Sequence, residues 1–118
     1  VTSRSILIVD DEAVVRAYIV RALRMQGFEV IEACDGPSAW LLALEKPYDL
    51  VITDNRMPGM SGKELTRRVR DRYPATRILC VSGSQETPAE DDGHVAHLRK
   101  PFGIDELVDK VQALLQDG

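Results

Sequence analysis

Five short apolar runs, each ending in a polar or charged residue and each but the fourth followed by a helical pattern, constrain this chain more than any other feature. Ser5-Ile6-Leu7-Ile8-Val9 runs into Asp10-Asp11. Such a run suits a strand buried on both faces. Val15, Ile19, Ala22 and Leu23 then recur at i, i+4, i+7 and i+8, one face of a helix that Gly27 stops. Phe28 to Ala33 reads as a second strand, and Gly36-Pro37 opens a second helix reaching about Lys46. Tyr48 to Thr53 is a third buried run that delivers Asp54 at its carboxyl end. Met57-Pro58-Gly59-Met60-Ser61-Gly62 is a loop by composition. A helix with Leu65 and Val69 inward follows and closes at Pro74. Arg77 to Val81 makes a fourth strand ending at Ser82-Gly83, and Val95 to Arg99 a short fifth. Lys100-Pro101-Phe102 leads into a last helix with Leu107, Val111, Leu114 and Leu115 on one face.

Alternation of this kind predicts an α/β fold, a five-stranded parallel sheet covered on both faces, with right-handed crossovers. One segment breaks the rhythm. Between Gly83 and His94 the only non-proline apolar residue is Ala89, beside Glu90-Asp91-Asp92. Nothing there anchors an amphipathic helix, so the fourth helix is expected to be short, irregular or missing.

The chain has 118 residues, 44% of them hydrophobic, enough for one domain over 1–118 with a core that needs no disulfide. A net charge of −4 speaks against direct nucleic-acid binding, which favours clustered positive charge. Arg67-Arg68, Arg70 and Arg72 give the third helix a basic face, read as a solvated surface. Cys34 and Cys80 lie in apolar runs without CxxC spacing and are expected to be reduced core residues. No stretch approaches the roughly 18 apolar residues of a membrane span, and no secretory leader is evident. A cytoplasmic domain without membrane contact is the expectation. The start at Val1-Thr2-Ser3 suggests a piece of a longer protein.

Ligands of open parallel sheets bind outside the carboxyl ends of the strands. Those ends carry Asp10-Asp11, Asp54, Ser82 and Lys100. Three carboxylates on one rim repel unless a cation sits among them, and Mg²⁺ is the natural one. Asp54 can then act as a carboxylate nucleophile toward phosphorus, with Lys100 and the Ser82 hydroxyl stabilising charge on the phosphoryl oxygens. Each residue has a plainer role: Asp10-Asp11 as helix caps, Asp54 and Ser82 as turn residues, Lys100 as a solvated cation. Their joint placement at successive strand ends favours the chemical role.

Asp10-Asp11, Asp54 with Met57-Pro58-Gly59-Met60-Ser61-Gly62, Ser82, and Lys100-Pro101-Phe102 together resemble the receiver domains of two-component response regulators, over essentially the whole chain. The resemblance implies a single-domain flavodoxin-like (CheY-like) doubly wound sheet of order 2-1-3-4-5. It implies Asp54 as phosphoacceptor in a two-component phosphorelay, with phosphohistidine on a sensor histidine kinase or phosphotransfer protein as the source. Asp11 would bind Mg²⁺ directly, Asp10 through water or as a partner in the acidic pocket, and Arg56 through its backbone carbonyl. Ser82 would be the switch hydroxyl and Lys100 the ion-pair partner. Such a domain catalyses its own phosphorylation but turns over no external metabolite, so it is not an enzyme in the usual sense.

Two departures stand out. His97 occupies the place where the family usually has Tyr or Phe as a rotameric switch. It is either a switch with added pH sensitivity or a strand-end surface histidine. The segment from Gly83 to His94 looks short for the family, which puts dimerisation through that face in doubt while leaving a homodimer open. The domain then fits a hybrid histidine kinase or a larger regulator, or a receiver specialised for a single partner. Two other readings compete. A pseudo-receiver that only binds protein remains open because of the altered segment. A phosphatase resembling the haloacid dehalogenase superfamily needs an acid two residues after its nucleophile, where this chain has Arg56. Trp40 reads as part of the second helix, partly buried. His94 and His97 lack further metal-binding partners for a zinc site.

Overall fold

A computed structural model describes residues 4–83 and 94–116. The strands are β1 (Ser5–Val9), β2 (Glu29–Ala33), β3 (Leu50–Asp54), β4 (Arg77–Ser82) and β5 (Val95–Arg99). The helices among these residues are α1 (Ala13–Met25), α2 (Gly36–Glu45), α3 (Gly62–Arg72) and α4 (Ile104–Leu115). All strand pairs are parallel, in the order β2-β1-β3-β4-β5. The expected sheet and strand order are therefore present. The segment expected to hold a degraded fourth helix falls largely on 84–93, outside the described residues.

Side chains alternate across a strand, so each apolar run supplies two cores. Ile6, Ile8, Ile52, Leu79, Val81 and Leu98 pack with Ile19 and Leu23 of α1 and Leu107 and Val111 of α4. Leu7, Val9, Val51 and Ile78 pack on the other face with Ala39 and Ala43 of α2 and Leu65 and Val69 of α3. Burial on both faces explains why β1 and β3 read as continuous apolar runs and not as alternating ones. Gly27, with φ +93, ends α1 through a bond from its N–H to the Arg24 carbonyl.

Several expectations shift. Phe28 lies before β2, and Tyr48 is buried ahead of β3, which begins at Leu50. Asp54 closes β3 as its last residue. Cys34 is exposed, correcting its assignment to the core: it falls just past the end of β2, where no helix covers it. Cys80 is half-buried on the α2/α3 face. Trp40 is half-buried, with the Arg68 guanidinium 5.9 Å from its ring centroid. Arg67 and Arg68 both bind Glu64 on the surface of α3, the solvated role expected of that basic face.

Candidate functional site

The rim at the carboxyl ends of β1, β3, β4 and β5 is locked by backbone bonds between neighbours. Asp10 N–H donates to the Ala33 carbonyl at 3.3 Å, Asn55 N–H to Val81 at 3.0 Å and Lys100 N–H to Ser82 at 2.8 Å. Asp10, Asp54 and Lys100 thus enter the site from a rigid sheet edge.

Asp10 is fixed further. Its Oδ1 accepts the Glu12 N–H at 2.8 Å, and its own carbonyl accepts from Arg16 Nη1 at 2.7 Å. Oδ2 is buried and lacks a well-directed hydrogen bond, although Lys100 Nζ lies 3.4 Å away as an ion-pair partner. The Asp54 side chain is equally enclosed, with Lys100 Nζ 3.4 Å from its Oδ2. Beneath it, the first turn of α3 comes so close that a Cβ on Gly62 would collide with the Asp54 carbonyl. Only glycine permits this approach. Ser61 caps α3 by accepting the Glu64 N–H at 3.1 Å, which fixes where the helix begins.

Electrostatics follow from this crowding. Burial, reinforced by the charge of Asp10, raises the Asp54 pKa to about 6 against the pull of Lys100. Burial likewise raises Asp10 above the usual carboxylate range. Burial alone would lower Lys100, but its hydrogen bond to Glu12 and the charges of Asp10 and Asp54 outweigh that and raise it. Two carboxyl groups that resist ionisation and one ammonium form a site short of positive charge.

Oxygen atoms of Asp10, Glu12 and Asp54 lie within 4.8 Å of one another. An all-oxygen group of this kind suits a hard divalent cation. Asp11 is exposed at the bend after β1 and lies outside the group, while Glu12 is inside it. Nor does Asp11 cap α1, whose N-cap is Glu12. Glu12 is the site residue that sequence reasoning missed. Its only signal was its place beside the acidic pair.

Ser82 is buried, and its Oγ has no hydrogen-bond partner among the described residues. A buried hydroxyl without a partner costs stability, which suits a group whose partner arrives later. Arg56 is exposed in the loop two residues beyond Asp54. His97 pairs with Cys80 in the β4–β5 register and is half-buried. Its neighbours Ala96 and Leu98 belong to the α1/α4 core, so His97 faces the opposite side of the sheet, apart from the carboxylates.

The family model for the response regulator receiver domain matches residues 6–112. The response regulator receiver protein CpdR of Brucella abortus is 32% identical over 95% of this chain and 97% of its own length. The phosphate regulon transcriptional regulatory protein PhoB of Pseudomonas aeruginosa is 34% identical, and this chain spans 52% of it. Among solved structures, the receiver domain of the hybrid histidine kinase CckA has a TM-score of 0.82 at 36% identity, covering 95% of this chain and 99% of that one. The chemotaxis response regulator CheY4 of Vibrio cholerae has a TM-score of 0.86 at 31% identity, covering 97% and 100%.

Proposed function

This chain belongs to the response regulator receiver domain family, and from that premise we propose that Asp54 accepts a phosphoryl group from phosphohistidine with the help of Mg²⁺. The observation that carries the reading is the enclosed Asp54 carboxylate, set at the end of β3 with Lys100 on its outer oxygen and a second acid, Asp10, beside it.

Asp10 and Asp54 would hold the metal, with the Arg56 carbonyl and the Asp11 carboxylate as the further donors that family resemblance implies. Bound there, Mg²⁺ keeps Asp54 ionised and neutralises charge on the phosphoryl oxygens. An Asp54 oxygen forms the new bond to phosphorus while the bond to the donor's imidazole nitrogen breaks, its electron pair staying on that nitrogen. Lys100 pairs with the negative charge that builds on the transferred group. Ser82 Oγ, otherwise without a partner, donates a hydrogen bond to it, so that occupancy of Asp54 pulls on β4. The domain turns over no separate metabolite.

Val14 is 84% exposed, and with Tyr18 and Phe102 it lines an apolar cleft of about 480 Å³ beside Lys100. It is suited to dock the phosphohistidine-bearing partner, a histidine kinase or phosphotransfer protein. No helix among the described residues is long and apolar enough to cross a membrane.

Intact-mass spectrometry after incubation with acetyl phosphate tests the reading. One phosphoryl group should be added with Mg²⁺, none without it, and none to an Asp54→Asn variant. Absence of the adduct from the wild type, beside a control receiver that labels, would overturn the proposal in favour of a protein-binding module.

A further inference from the structure

The shortest ionic contact of Lys100 is not to the buried pair but to Glu12. Lys100 Nζ lies 2.7 Å from Glu12 Oε1, against 3.4 Å from Asp10 Oδ2 and 3.4 Å from Asp54 Oδ2. Three carboxylates share one ammonium, and they are not equally free to leave it. The side chains of Asp10 and Asp54 are 2% and 9% exposed, while that of Glu12 is 59% exposed. A phosphoryl group on Asp54 brings further negative charge to Lys100. The surplus anion that yields must then be the one with solvent to enter.

We propose that Glu12 is a positioning residue, a latch that holds Lys100 at the mouth of the site until the phosphoryl group arrives and displaces it. The inference rests on the phosphoacceptor reading of Asp54. Glu12 acts through Lys100: its release into water frees the ammonium to follow the phosphoryl oxygens, and its return helps to expel them. The latch slows phosphoryl acceptance modestly, because an ion pair with one exposed partner is weak. It also explains why Glu12, though a member of the acidic group, need not be a metal ligand. The pairing with Lys100 already satisfies it.

Glu12→Gln and Glu12→Ala variants test this in the whole chain, with a readout independent of phosphorylation. Lys100 is labelled with an amine-acetylating reagent in metal-free buffer and quantified by peptide mass, with Lys46 as internal control. Both variants should label about two- to fivefold faster at Lys100 and unchanged at Lys46. Acceptance from acetyl phosphate should quicken by a similar factor, and Mg²⁺ affinity by calorimetry should stay within about twofold of the wild type. Unchanged Lys100 labelling would overturn the latch. So would a tenfold or greater loss of Mg²⁺ affinity with slower acceptance, which would make Glu12 a metal ligand instead. If the wild type accepts no phosphoryl group, the phosphoacceptor reading fails, whereas the labelling comparison still decides whether Glu12 restrains Lys100.

Discussion

Lys100 Nζ stands 3.4 Å from Asp54 Oδ2, reaching from the end of β5 across β4 to the end of β3. It is the cation that the cluster of Asp10, Glu12 and Asp54 closes on. Lys100→Met keeps the stem and removes the charge. Acceptance from acetyl phosphate with Mg²⁺ should fall by about 10²-fold, the usual scale for losing one group that stabilises developing charge. The Asp54 carboxyl should also titrate above its present value of about 6. Rapid-quench mass measurements and a carboxyl-carbon NMR titration check the two effects.

Asp54 is an acid whose folded pKa, about 6, is raised above its unfolded value by burial and by Asp10. The folded state therefore holds the proton more tightly. The stability this contributes is full below about pH 4 and is lost as pH rises through 6. At pH 8, without metal, Asp54→Asn should be more stable than the wild type by about 1–3 kcal/mol. At pH 4 the two should melt alike. Urea denaturation at both pH values decides the matter, and equal gains at pH 4 and pH 8 would contradict it. Adding Mg²⁺ at pH 8 should narrow the gap, since the metal stabilises only the protein that binds it.

Ser82→Ala should leave the unphosphorylated protein as stable as before, or more stable by up to about 1 kcal/mol. Among the described residues the buried hydroxyl has no partner to lose. Phosphorylated, the variant should show smaller amide shift changes along β4 and β5 than the wild type. Thermal melts and NMR of both states measure this. A clear loss of stability in the unphosphorylated variant would mean that the hydroxyl already has a structural role.

Gly62→Ala forces a methyl group against the Asp54 carbonyl and the Asn55 backbone. The helix must move off the end of β3, at a cost of about 1–3 kcal/mol, as expected for overpacking. Acceptance at Asp54 should fall even in molecules that remain folded. Gly83→Ala, where a Cβ meets nothing within 4 Å among the described residues, is the control.

Most of the site was legible because strands impose order. Asp10, Asp54, Ser82 and Lys100 sit at or just beyond the ends of apolar runs, and parallel pairing brings such ends to one rim. Glu12 was not legible, because it lies past the end of β1. There its own N–H donates to Asp10 Oδ1 just before α1 begins, and no apolar run marks its place. Cys34 misled for a related reason: it prolongs the run of β2 in sequence, yet the strand ends at Ala33. The sequence also could not rank the three acids around Lys100, since that ranking depends on which of them solvent can reach.

The bond from Lys100 N–H to the Ser82 carbonyl has a mechanical corollary. Ser82, whose hydroxyl lacks a partner among the described residues, also anchors the peptide that carries the ammonium. Any pull that draws Ser82 toward Asp54 is transmitted to Lys100 without passing through a side chain. Lys100 in turn opens the loop to α4, so the two residues work as one lever. Its short arm lies in the acidic site, and its long arm reaches the outermost strand of the sheet and the helix that follows it.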